Sequence, residues 1–258
     1  SAEPLDGKWD LSWHPHSRHV REMELGLTPA RLRGISEAHA ELLVFVDDDN
    51  VLFPEYLQEC LRISDQWPIL GAWGGQQFPE FEGGAPAEQW KVDCFAATFE
   101  KDIWSNNKDL ATAPVGAGVC IRRLVALEYH KKVRSDPLRA MLDRTGAQLL
   151  SGGDIDMVFV AYGFGLGTGK FACLKLTHLI PSKRTTDEYL VKLFEGFGFT
   201  SVLMQKVISN RVRVPCFSEK IYNAYKMFRT RSHDKLLVAA QERGVTAGLD
   251  FLKKNGLL

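Results

Sequence analysis

Three consecutive carboxylates, Asp47, Asp48 and Asp49, close an unbroken apolar run from Leu42 to Val46, and this is where the chain is best equipped for chemistry. Aspartates so closely spaced can share a hard divalent cation and, through it, phosphate oxygens. A second pair, Asp154 and Asp156, follows Gly152-Gly153 in the first turn of an apolar helical segment. An aspartate there serves as cap and dipole partner, or as a rigidly held base. His178 leaves a third apolar run, where an imidazole can complete a metal site begun by the aspartates. Gly116 and Gly118 lead into a short strand, which permits close approach of the backbone to a ligand or simply a tight bend. Together these types imply a metal-assisted reaction on a phosphorylated substrate. A solvated acidic loop is the plainer alternative for the three adjacent aspartates.

The elements that must position these groups follow from pattern. Thr28-Pro29 reads as a helix cap and first-turn proline, with Leu32, Ile35 and Ala38 near one face of a helix reaching Ala40. Leu42 to Val46 reads as a strand buried on both faces, and Pro54 opens a helix through Trp67. Helix, buried strand, acidic turn, helix is an α/β unit with its carboxylates at the ligand edge of the sheet. Further strands are expected at Ile69 to Trp73, ending at Gly74-Gly75, and at Phe171 to Leu176, with a short one at Val20 to Met23. The expected fold is α/β, a mostly parallel sheet flanked by helices. A catalytic unit is expected at residues 1–186 and a helical extension at 187–258, interrupted at Gly244 and Gly248.

Composition bounds the rest. The chain has 258 residues, 45% of them hydrophobic, enough for a sizeable core. Basic and acidic residues balance at 32 each, which removes any global charge signal for nucleic acid. Locally, Lys206 to Lys235 holds eight basic residues against Glu219 and Asp234, a surface suited to anionic lipid, a phosphorylated acceptor or plain solvent. The five cysteines are scattered and never form a Cys-x-x-Cys pair, as in core residues of a reducing compartment. With no run as long as a membrane span and no basic-then-apolar leader, the expected location is cytoplasmic, with peripheral membrane contact through residues 190–235. His14, His16 and His19 cluster around Pro15 and read as a surface loop rather than a metal site. Trp90 and its aromatic neighbours either stack on sugar rings or pack onto the domain.

Three separated motifs converge on a family. Gly26-Leu27-Thr28-Pro29-Ala30-Arg31-Leu32-Arg33-Gly34-Ile35 followed by Phe45-Val46-Asp47-Asp48-Asp49 is the first. Ser151-Gly152-Gly153-Asp154-Ile155-Asp156 is the second, and His178-Leu179-Ile180-Pro181-Ser182-Lys183-Arg184 with Tyr189-Leu190 the third. In order and spacing they resemble the family 2 glycosyltransferases of the GT-A fold. The resemblance implies an inverting sugar transfer from a nucleotide-sugar donor to a hydroxyl of a saccharide or lipid-linked acceptor. It implies magnesium or manganese at Asp49 and His178, donor contacts at Asp47, Asp48 and Arg33, and Asp154 as catalytic base. Acceptor contacts are expected at Gly116, Gly118, Gly153, Asp156 and Trp90.

Two features depart from the family pattern. Glutamate usually precedes the catalytic aspartate, and Gly153 stands there instead. The family also builds its nucleotide-base pocket from strands ahead of the acidic triplet, whereas 46 residues precede Asp47, so the chain is expected to be truncated at its amino terminus. Two other classes fit parts of the pattern. Phe45 to Leu52 satisfies the nucleophile motif of haloacid-dehalogenase-like phosphatases, with Asp47 phosphorylated. A non-catalytic saccharide-binding domain derived from the transferase fold is the other.

Overall fold

Two long strands organise the computed structural model, which describes residues 10–146, 148–214 and 232–258. They are β3 (Leu70–Phe81) and β6 (Gly167–Ile180), which pair in parallel at the centre of one sheet. The shorter strands are β1 (Leu42–Val44), β2 (Asn50–Leu52), β4 (Ile103–Ser105) and β5 (Cys120–Arg122). Their order is β1-β5-β3-β6-β2, with β4 on β6. The α/β class holds, but the sheet is mixed rather than mostly parallel: β1 with β5, β5 with β3, β2 with β6 and β4 with β6 are antiparallel. The apolar runs report burial on both faces, which says nothing of strand direction.

Burial on both faces is visible residue by residue. Alternation along β3 sends Ala72 to one core cluster and Trp73 to the other, and along β5 it sends Cys120 and Ile121 to opposite sides. Helices α1 (Leu27–Glu37), α4 (Arg123–Ser135) and α6 (Gly153–Phe159) cover one face through Ile35, Val125, Tyr129 and Met157. On the other face α2 (Tyr56–Gln66) packs Tyr56, Cys60 and Ile63 against Trp73, Phe171 and Leu176.

β3 runs straight through Gly74-Gly75 instead of ending there. A Cβ on Gly75 would lie 2.1 Å from the Leu174 carbonyl, so the glycines admit a neighbouring strand rather than a turn. At this point the register jumps, Gly74 pairing with Lys170 but Gln76 with Lys175. The surplus residues on β6 form a bulge that bends the sheet. Bending is required by chain length. Flat, the outer strands β1 and β2 would stand about 19 Å apart at ~4.8 Å per strand. The six-step link from Val44 to Asn50, which includes a turn closed by Asn50 N–H on the Asp47 carbonyl at 3.0 Å, cannot comfortably cover that. The sheet curls, and the acidic turn crosses its end.

Several boundaries differ from expectation. The cap of α1 is Gly26, at φ 138°, and Thr28 turns inward to Asp143. Val20 to Met23 form no strand. Two short helices, α3 (Gln89–Asp93) and α5 (Pro137–Ala140), lie in the connections. The C-terminal part is α7 (Asp187–Ser209), capped by Thr186, and α8 (Ser232–Lys254). Ser1 to Trp9, Cys216 and the basic residues Lys220, Lys226, Arg229 and Arg231 lie outside the described residues. Gly244 and Gly248 do not interrupt α8. A Cβ on Gly198 would fall 2.0 Å from the Gln241 carbonyl, and one on Gly244 2.0 Å from the Glu195 carbonyl, so the two helices cross backbone against backbone. α7 in turn buries Leu190 and Leu193 against Phe95 and Ile180, and Val202 and Leu203 against Leu142.

Gly244→Val should therefore force the helices apart and cost about 1–3 kcal/mol. At about 2–4 °C per kcal/mol for a chain of this size, the loss is readable as a lower melting temperature. Gly34→Ala is the control: nothing lies within 4 Å of its Cβ position inside α1, and it should gain about 0.5–1 kcal/mol.

Candidate active site

The curl gathers the sequence motifs into one cleft of about 590 Å³. Asp47, Asp48 and Asp49 line it from the turn between β1 and β2, Gly116 and Ala117 from the approach to β5, and Asp154 from the start of α6. His178 lines it from β6, Arg31 from α1, and Arg184 from the 3-10 turn Ser182–Thr185 that follows β6.

Asp49 is fixed by its neighbours in the sheet. Its carbonyl accepts Leu179 N–H at 2.8 Å, which sets it beside His178, and His178 pairs across the ladder with Asn50. The Asp49 carboxylate faces His178 Nε2 at 3.6 Å and Arg184 Nη1 at 2.7 Å, and Oδ1 accepts from Asn50 at 3.0 Å. His178 and then Arg184 hold its pKa down at about 2, against the opposing effect of burial. Asp47 differs: burial pushes it above the usual carboxylate range, with Asp49 and Asp48 adding to the rise and Arg31 opposing it. Asp48 is exposed.

Asp154 is held by two backbone donors, Gly116 N–H on Oδ2 and Ile155 N–H on Oδ1, both at 2.9 Å. Each oxygen keeps a further acceptor site. Arg31, 7% exposed, stands between this carboxylate and Asp143, to which it donates at 2.9 Å. Burial alone would lower the Arg31 pKa, but Asp143, Asp154 and Asp47 raise it above its ordinary value.

Not every expected residue reaches the cleft. Arg33 lies two positions from Arg31, on the exposed side of α1, and pairs with Glu37 at 2.8 Å. Trp90 packs with the α7 cluster under Lys91, whose ammonium sits 5.4 Å from its ring. Gly118, at φ 73°, lies beneath the cleft, where its carbonyl accepts Tyr56 Oη–H at 2.7 Å. Gly153 backs onto Asp143, and a Cβ there would lie 2.2 Å from Asp143 Oδ2. That explains glycine at this position: a side chain would displace the buried carboxylate. Asp156 is buried at 2% exposure and accepts from Arg139, its Oδ2 having no hydrogen-bond partner. The pattern reading missed Arg31, Asp143, Arg144 and Arg184. Arg31 and Arg184 lie inside the motifs it used, but nothing in the pattern marks Asp143.

For a divalent cation, Asp49 and His178 offer one carboxylate oxygen and one imidazole nitrogen 3.6 Å apart. Among the described residues, no group of three or more His, Cys, Asp or Glu is arranged to hold a metal. Two protein ligands suit magnesium or manganese when phosphate oxygens and water fill the remaining positions. His178 Nδ1 is buried without a hydrogen-bond partner, so no second contact fixes the ring's tautomer as it would for a settled metal ligand.

A sequence comparison bears on the choice among the classes. Residues 10–123, which carry α1, the acidic turn and Gly116, match the model for glycosyl transferase family 2. The likeness covers a little under half of the chain. No curated protein matches the chain. A glycosyltransferase of this family works on a nucleotide-sugar donor and an acceptor, and the acidic turn and Asp154 line one cleft in this chain. Among the described residues, no helix is long and apolar enough to cross a membrane.

Asp156 gives a pH test of this geometry. Burial, only partly offset by Arg139, pushes its pKa up to about 6, above the usual carboxylate range. The native state thus binds the proton more tightly, and stability from this group falls as pH rises from about 4 to about 6. Asp156→Asn is expected to flatten that slope, measured as melting temperature against pH.

Proposed function

We propose that this protein is an inverting glycosyltransferase that uses a divalent cation to move a sugar from a nucleotide-sugar donor to a hydroxyl of a saccharide or lipid-linked acceptor. The supporting observation is that the acidic turn and Asp154, more than 100 residues apart in sequence, line one cleft with Arg31, His178 and Arg184. The match of residues 10–123 to glycosyl transferase family 2 supports sugar transfer in general, and the chemistry of these groups supports the finer reading.

Asp154 serves as base. It takes the proton of the acceptor hydroxyl while that oxygen bonds to the anomeric carbon and the bond to the diphosphate oxygen breaks. The electron pair leaves with the nucleoside diphosphate. Attack opposite the leaving group inverts the anomeric configuration. The two backbone hydrogen bonds on Asp154 hold the carboxylate in place, which lowers the entropic cost of aligned attack. A magnesium or manganese ion held by Asp49 and His178 would neutralise charge on the leaving diphosphate. Arg184, close to both, supplies further positive charge on that side, and Asp47 and Asp48 face the donor. The phosphatase reading is disfavoured because the strand before Asp47 is an outer strand with an antiparallel neighbour.

Two measurements test this reading. Asp154→Asn keeps the shape but not the basicity, so transfer should fall by about 100-fold or more while calorimetric donor binding stays within a few-fold. Transfer near the wild-type rate would remove Asp154 from the role. Asp49→Ala should weaken metal-dependent donor binding more than His178→Ala, because a charged oxygen suits these cations better than a neutral imidazole. Unchanged metal dependence in Asp49→Ala would exclude the assignment.

A further inference from the structure

We propose that Asp143 is a positioning residue of this site: it anchors the Arg31 guanidinium and, through Arg31, sets the place and electrostatic surroundings of Asp154. The inference rests on Asp154 as the base. Asp143 belongs to no sequence motif of the site and sits on the connection from α5 to α6, yet it is 4% exposed and engaged from several sides. Thr28 Oγ1 and Arg31 Nη1 both donate to its Oδ2 at 2.9 Å, and its carboxylate presses on Gly153, the residue before Asp154. It therefore joins α1 to the first residue of α6.

The other terminal nitrogen of Arg31 completes the link. A Cβ added to Gly116 would lie 2.8 Å from Arg31 Nη2 and 3.1 Å from Asp154 Cβ, so the guanidinium and the base share the space above that glycine. Gly116 also gives its N–H to Asp154 Oδ2. One buried cation thus stands between two carboxylates. The charged and titratable groups acting around Asp154 are Arg31 from α1, Asp143 from the α5–α6 connection and Tyr129 from α4, with Asp47 reached through Arg31. If Asp143 loses its charge, Arg31 acts on Asp154 unopposed. If Arg31 loses its charge, the two carboxylates repel each other.

The two losses therefore have opposite signs, which a merely structural role would not produce. The readout is the pH–rate profile for turnover of a panel of sugar nucleotides, with water or added saccharide as acceptor. Asp143→Asn should move the acidic limb down by about one pH unit, and Arg31→Gln should move it up by about as much. Arg31→Lys should return it toward the wild-type position. Limbs that stay in place, or move together, overturn the proposal.

A lone buried charge can prevent folding, so the double variant Arg31→Met/Asp143→Leu, checked by circular dichroism, is the second measurement. It should fold, and turn over roughly ten-fold or more slowly. Wild-type turnover in the folded double variant also overturns the proposal. Asp154→Asn separates the two failures. Activity there defeats the base assignment, whereas an inactive Asp154→Asn with unmoved limbs in the other variants defeats only the role of Asp143.

Discussion

Like charges have to be held together for this site to exist. Asp47, Asp49 and Asp154 line one cleft, with Asp143 packed against its wall; Asp49 and Asp48 raise the cost of ionising Asp47, and Asp154 raises that of Asp143. Two guanidinium groups make the arrangement tolerable. Arg31 sits among Asp143, Asp154 and Asp47, and Arg184 sits on Asp49. The carboxylates respond differently because their surroundings differ. Asp49, with His178 and Arg184 beside it, stays ionised far into acid, whereas Asp47 and Asp143 are pushed the other way by burial. One end of the cleft thus holds a carboxylate kept ionised by its cationic neighbours, and the other holds carboxylates whose ionisation burial opposes.

The sheet provides the place for this. A bulge on β6 beside Gly75 bends the two central strands, and the short link between β1 and β2 then runs over the sheet's end with its three carboxylates. Because β6 continues to Ile180, the same strand that bends also delivers His178 and leads into the turn bearing Arg184. Site and curvature come from one pair of strands.

Much of this was legible in the sequence, because the signals were local. The apolar run ending in Asp47, the helix opened near Pro54 and the glycines ahead of Asp154 depend on neighbours in the chain, and their elements lie within a few residues of where the pattern puts them. What was not legible depends on distant contacts. Strand direction is set by partners, so a two-sided apolar run read as parallel proved mixed. Gly74-Gly75 read as a strand end, and only the Leu174 backbone shows them to be a close approach. Thr28 looked like a cap, but Asp143, 115 residues away, claims its hydroxyl. Arg33 and Arg31 are equivalent in composition and differ in which side of α1 they occupy.

The crossing of α7 and α8 bears on how such a chain can drift in descent. At Gly198 and Gly244 the neighbour is carbonyl backbone, which has no rotamer to yield, so even the smallest side chain is excluded. These positions are as restricted as any in the cleft, although they do not line it. Invariance there among relatives would record a packing rule, and a reader searching such sequences for chemistry would be led away from it by the very residues that change least.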